Sequence, residues 1–231
     1  MSEVRATLAD RDARLSSYHG VAQTTQGADE VSHEFFFRSP NKMRAVMRTA
    51  PGFEWSFDGA RLYQLLNETK SFTAFELKLP ADKAAIFLHS TFAPFVLEGF
   101  RAPLMPLKGV TATRVTHPRG PEAVELRLEP GEGVSVTYVL RWPSADFLER
   151  RSRTSVGTSA LKVTEEHCEE KLKLCVPKGA TQYVDEQAVA TIRLTAVELN
   201  VDLPAEAFSP GAPSGWTSQS RQLVEGGSAA N

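Results

Sequence analysis

The side chains able to do chemistry are few and dispersed. Cys168 and Cys175 are the chain's two cysteines. Their spacing suits a disulfide closing a β-hairpin in an oxidising compartment. It equally suits two free thiols, and only geometry separates the two. His167 adjoins Cys168, but three loosely placed ligands make a poor zinc site, so no metal is expected. The five histidines, His19, His33, His89, His117 and His167, are scattered among expected strands, helix and turns. No GxSxG, HExxH, CxxC, P-loop or GxGxxG occurs. Glu165-Glu166 and Glu169-Glu170 flank an expected hairpin turn and read as solvated charges, not as paired catalytic carboxylates. The reading is a non-enzymatic protein without a cofactor.

What remains is hydrophobic chemistry. The stretch DKAAIFLHSTFAPFVLEGFRAPLMP, residues 82–106, carries apolar side chains nearly all round. Charges and prolines interrupt it well short of the roughly 20 apolar residues of a membrane span. Pro80 can open a helix, Pro94 falls inside the run, and Pro103 and Pro106 close it. Two short helices, broken near residues 90–94, fit this pattern.

Around this insert the pattern has period two. Met43, Ala45 and Met47 share one face of an expected strand against Lys42, Arg44 and Arg48. Phe53, Trp55 and Phe57 do the same against Glu54, Ser56 and Asp58. Asp58-Gly59 is a turn signal between this strand and the next. Further strands follow to residue 77 and resume from 109 to 201, about eleven in all. A short N-terminal helix is expected over residues 3–17. The class is α+β: an incomplete antiparallel β-barrel, one curved sheet lidded by short helices. Residues 1–208 form one domain with the lid at 81–106, and 209–231, rich in Pro, Gly, Ser and Ala, are expected to be a loose tail. About 40 helical residues give at most about 60 Å of helix. That is meagre cover for so wide a sheet, and it leaves space for an apolar cavity.

Bulk composition narrows the partners. The chain has 231 residues, 26 basic and 28 acidic, with net charge −2. This is no nucleic-acid footprint, and no basic block marks a membrane anchor. The opening MSEVRATLADRDARL lacks the basic and apolar regions of a leader; a trimmed leader is the expectation for a periplasmic protein.

Several stretches resemble the periplasmic lipoprotein carrier family LolA and its wider group, the LolA/LolB/RseB-type fold. SSYHGVAQTTQ (16–26) is similar to the family's first strand. FFFRSPNKMRAVM (35–47) is similar to its K-R-P-N strand pair. FEWSFDGARLYQLLNETKSFTAF (53–75) is similar to its strands around a DGKxLW turn. Residues 176–210 look like its last two strands. The resemblance implies a half-barrel holding acyl chains of lipoproteins or lipids, acting as a monomeric carrier. It also implies inner-membrane donor and outer-membrane acceptor proteins. The alternative on the same fold is a periplasmic sensor or protein-interaction module. The family carrier ties its lid shut with an arginine directly before the proline. Here that position is Ser39, and Arg38 points to the opposite side of the strand. Arg38 and His89 are the polar candidates for lid gating. The lipid-binding candidates are Met43, Met47, Trp55 and Phe57 from the sheet. Phe87, Phe92, Phe95, Val96 and Phe100 join them from the lid.

Overall fold

The computed structural model describes residues 2–92 and 109–224. The chain opens with helix α1 (Ser2–Arg14) and strands β1 (Ser17–Gln26), β2 (Asp29–Arg38), β3 (Lys42–Met47), β4 (Phe53–Phe57), β5 (Arg61–Leu66) and β6 (Ser71–Lys78). Helix α2 (Ala81–Phe92) interrupts the meander. It is followed by β7 (Thr111–His117), β8 (Gly120–Gly131), β9 (Val134–Arg141), β10 (Phe147–Thr154), β11 (Gly157–Glu169), β12 (Leu174–Val184) and β13 (Gln187–Leu199). A 3₁₀ turn (Ala205–Phe208) and β14 (Thr217–Val224) complete the described chain.

The strands form one 14-stranded sheet in the order β14-β6-β5-β4-β3-β2-β1-β13-β12-β11-β10-β9-β8-β7. Neighbours are antiparallel except β14 against β6. The sheet does not close, because β14 and β7 are both edges. Register shifts mark bulges in β13, β10 and β11. Each inserts an extra residue that bends the strand and increases twist, which is how so wide a sheet curves.

Two buried clusters line the concave face. One joins Val4 and Leu8 of α1 to Val124, Leu126, Tyr138, Leu140, Phe147, Leu161 and Ile192 of the β8–β13 half. The other joins Leu15, Tyr18, Phe35, Phe37, Met43, Ala45, Phe57, Leu62 and Phe75 to Leu88 and Phe92 of α2. Strand alternation produces both, by sending apolar residues inward and charged ones outward.

The Asp58-Gly59 turn forms as its sequence predicts. Gly59 adopts φ +103°, a region open to glycine. Asp58 Oδ1 accepts from the backbone N–H groups of Ala60 and Arg61, and Oδ2 from the Tyr63 hydroxyl.

Two expectations need correction. Among the described residues the sheet has 14 strands, where about eleven are expected. Residues 217–224 are not loose: β14 pairs along all of β6, and Trp216 packs beside Tyr63, Leu65 and Phe72. The physical reason is the free edge of β6, whose backbone groups need partners. A polar segment supplies them without a core of its own, so its serines and glutamines gave no apolar signal. Lid residues beyond Phe92, and the end of the expected tail, lie outside the described residues.

Candidate binding cleft

The inner faces of β2, β3 and β4 are built in rows. Phe37 opposes Met43, which opposes Phe57; Phe35 opposes Ala45, which opposes Trp55; Met47 opposes Phe53. Ala45, in the middle of a row of rings, keeps the wall concave.

Helix α2 lies over this wall. The carbonyl of Pro80 accepts from Ala84 N–H at 2.8 Å, so the first turn starts at the proline as expected. Asp82 places an acid in that turn, matching the positive end of the helix dipole. The helix spreads its contacts. Leu88 and Phe92 enter the β2–β6 cluster, with the Phe92 ring edge-on to Phe35 at 6.4 Å. Ile86 packs on the other cluster. Ala81, Ala84, Ala85 and Leu88 fall at i, i+3, i+4 and i+7, which is one stripe.

That stripe borders a cavity of about 300 Å³ whose other walls are Asn41, Met43, Phe57, Gly59, Ala60 and Leu77. The space exists because three alanines stand where larger side chains would reach the sheet. Its lining is mainly apolar, with Asn41 and the Gly59 backbone as its polar part, so it suits hydrocarbon better than water.

His89 makes a polar contact between α2 and the opposite half of the sheet. The Tyr138 hydroxyl and its Nε2 share a hydrogen bond of 2.5 Å. Burial, and secondarily the positive charge of Arg150, lower the His89 pKa to about 4. The ring is therefore neutral at pH 7.

The sequence-derived residues fall as follows. Met43 and Phe57 line the cavity. Phe92 is fully buried beneath α2, while Met47, Trp55 and Phe87 are half-buried and packed against the same cluster. Phe95, Val96 and Phe100 lie outside the described residues. His89 bridges lid and sheet. Arg38 does not: it donates to the carbonyl of Leu203 at 2.7 Å on the convex face. Alternation along β2 sends Phe35 and Phe37 inward and so turns Arg38 outward. There it holds the 203–209 segment to the sheet, alongside the bond from the Ser56 hydroxyl to Phe208 O. Asn41, Leu77 and the alanine stripe were missed. The stripe was legible, since its spacing is helical and its residues are all small.

Cys168 and Cys175 face each other across β11 and β12 and are joined by a disulfide. Nearby, Glu166 bridges Arg119 and Arg141, and Asp146 Oδ1 accepts from Cys175 N–H. Burial would raise the Glu166 carboxyl, but the two guanidinium groups hold it below the usual range. This network braces the hairpin and stands on the outside of the sheet.

No protein-family model and no curated protein matches the chain. Solved structures do resemble it. A Vibrio parahaemolyticus domain named for outer membrane lipoprotein sorting is 11% identical, with TM-score 0.58 over 88% of this chain and 94% of its own. A DUF1329-family protein from Desulfovibrio piger is 10% identical, with TM-score 0.54 over 89% and 96%. A LolA-superfamily protein from Nitrosomonas europaea is 10% identical, with TM-score 0.52 over 89% and 96%. With its open antiparallel sheet curved around short covering helices, the chain has a LolA-like fold.

Proposed function

We propose that the protein is a periplasmic, non-enzymatic binder of acyl chains, carried by lipids or by lipoproteins, in the cleft between α2 and the concave sheet. The observation that carries this is the 300 Å³ apolar cavity under the alanine stripe. At roughly 30 Å³ per methylene, about the volume of a water, it accepts about ten carbons. Burying these yields about 8 kcal/mol before the costs of ordering the guest. Met43 in its wall suits guests of varying shape, because thioethers repack easily. The disulfide fits an oxidising compartment. The lipoprotein-sorting name of the Vibrio neighbour agrees with the same reading. Donor and acceptor proteins at the two membranes are part of the proposal, by analogy with the carrier family.

The test is direct. Ala84→Trp fills the cavity from the helix without burying a charge. It is expected to weaken uptake of a fluorescent fatty acid at least tenfold, with β-rich circular dichroism unchanged. Protein purified from its source is expected to release lipid on solvent extraction. Unchanged uptake by a folded Ala84→Trp protein would overturn the assignment of the cleft.

A further inference from the structure

The cavity under α2 has a closed end and an open one. Met43, Phe57 and Leu88 are buried and form its floor; Gly59, Ala60 and Ala81 are exposed and form its mouth. The mouth therefore lies at the rim of the sheet, between the β4–β5 turn and the first turn of α2. Asn41 stands there, half-buried in the turn before β3. Among the described residues it is the cavity's one hydrogen-bonding side chain. A Cβ at Gly59 would come within 3.3 Å of Asn41 Oδ1, so glycine lets the amide lie close against the turn. Among the described residues no hydrogen bond engages that amide, which offers both a donor and an acceptor.

The mouth is polar but uncharged. None of the cavity's walls carries a charge. The positive end of the α2 dipole opens there, but Asp82 in the first turn already supplies the anion it favours. A free carboxylate brought to the mouth would shed water and find no cation in the wall. A neutral carbonyl sheds water at lower cost and can accept from the Asn41 N–H. An acyl chain joined to a carrier molecule by an ester or an amide has such a carbonyl beside its first methylene. With its methyl end on the floor, that chain brings its linkage to the mouth. Gly59, Ala60 and Ala81 carry nothing larger than a methyl group, so a bulky polar body clears the rim.

We infer that Asn41 binds the neutral carbonyl, ester or amide, through which an acyl chain in this cleft is attached to a larger polar body. This rests on the acyl-chain reading above and names the head of the guest. The consequence is a preference for linked acyl chains over free fatty acids.

The experiment is displacement of a fluorescent fatty acid at pH 8, where carboxylic acids are ionised. The competitors share one chain length: the methyl ester, the N-methyl amide, the methyl ether, which is a weaker acceptor, and the free acid. On the full chain the free acid is expected to compete less well than the ester and the amide, and the better of those two names the linkage. In Asn41→Leu, which is of similar size, the ester and the amide are expected to lose about fivefold relative to the ether, the scale of one neutral hydrogen bond. Asn41→Asp keeps the shape but has no donor at this pH, and the ester should lose as much; an ester that kept its affinity would overturn the role of the N–H. An ester-to-ether ratio unchanged by Asn41→Leu would overturn the inference and leave the cleft standing, as would a free acid that competed as well as the ester. Equal loss of every competitor in Asn41→Leu would also overturn it, by assigning Asn41 to the turn. If no competitor displaced the probe from the full chain, the cleft reading itself would fall.

Discussion

Replacing His89 by glutamine separates its titration from its hydrogen bond. Glutamine keeps an acceptor within reach of the Tyr138 hydroxyl but carries no proton between pH 4 and 8. In the folded protein the His89 pKa lies at about 4, against 6.5 in an open chain, because burial and Arg150 penalise the charged ring. The unfolded state therefore binds the proton first as pH falls. His89 costs nothing well above pH 6.5, and its penalty grows as pH drops through 6.5 and saturates near pH 4. Linkage with these two values gives about 2 kcal/mol lost by pH 5 and about 3 kcal/mol below pH 4. His33, whose pKa burial also lowers, contributes in the same window but equally in both proteins. Glu34, Asp58 and Glu166, held low by their donors, lose their contributions only at lower pH and also cancel. Urea unfolding at pH 8 and pH 5 reads the difference. The variant is expected to match the parent at pH 8 within about 1 kcal/mol. At pH 5 it should be more stable by about 2 kcal/mol. Parallel pH profiles would refute the neutral, buried His89 and with it the Tyr138 tie between α2 and the sheet.

Two further outcomes follow from the fold. Cys168→Ser with Cys175→Ser opens a link across 7 residues of sequence. By loop-closure entropy it is expected to lower stability by about 2.5 kcal/mol, read as a shifted denaturation midpoint, and an unshifted midpoint would sink that account. Ending the chain at Pro213 removes β14 and bares the edge of β6. Light scattering is expected to show self-association, and a protein that stays monomeric would show the β6 edge to be protected otherwise.

The legible part of this fold was its alternation. Met43-Ala45-Met47 and Phe53-Trp55-Phe57 announced one inward face each, and register then laid them against each other. The Asp58-Gly59 turn was readable because few residues tolerate its backbone. Three things were hidden, each for a physical reason. β14 draws on backbone pairing, which leaves no mark in side-chain hydropathy. The position of Arg38 depends on what covers the convex face, and that cover arrives from residues 203–209, far along the chain. The cavity was expected, but its place was hidden, because small residues make it. Rings at Phe87 and Phe92 drew notice as guest contacts, yet Phe92 is spent on the core, and Ala81, Ala84 and Ala85 make the room.

The same division of labour sets how readily a guest can enter. Within its described length α2 commits two side chains, Leu88 and Phe92, to full burial. At about 1.5–3 kcal/mol each, these hold the helix by about 3–6 kcal/mol, with about 1 kcal/mol more from the His89–Tyr138 bond. The roughly 8 kcal/mol gained by burying about ten methylenes is of the same size. The cavity already under the helix takes about ten carbons without displacing these contacts, so they set the cost of lifting the helix for entry and not the affinity of the bound chain. The alanine stripe lowers the barrier further, since those three positions give up almost no packing when the helix lifts. A guest longer than the cavity must displace helix contacts to lodge its remaining carbons, so length is limited by energy alone, before any polar group takes part.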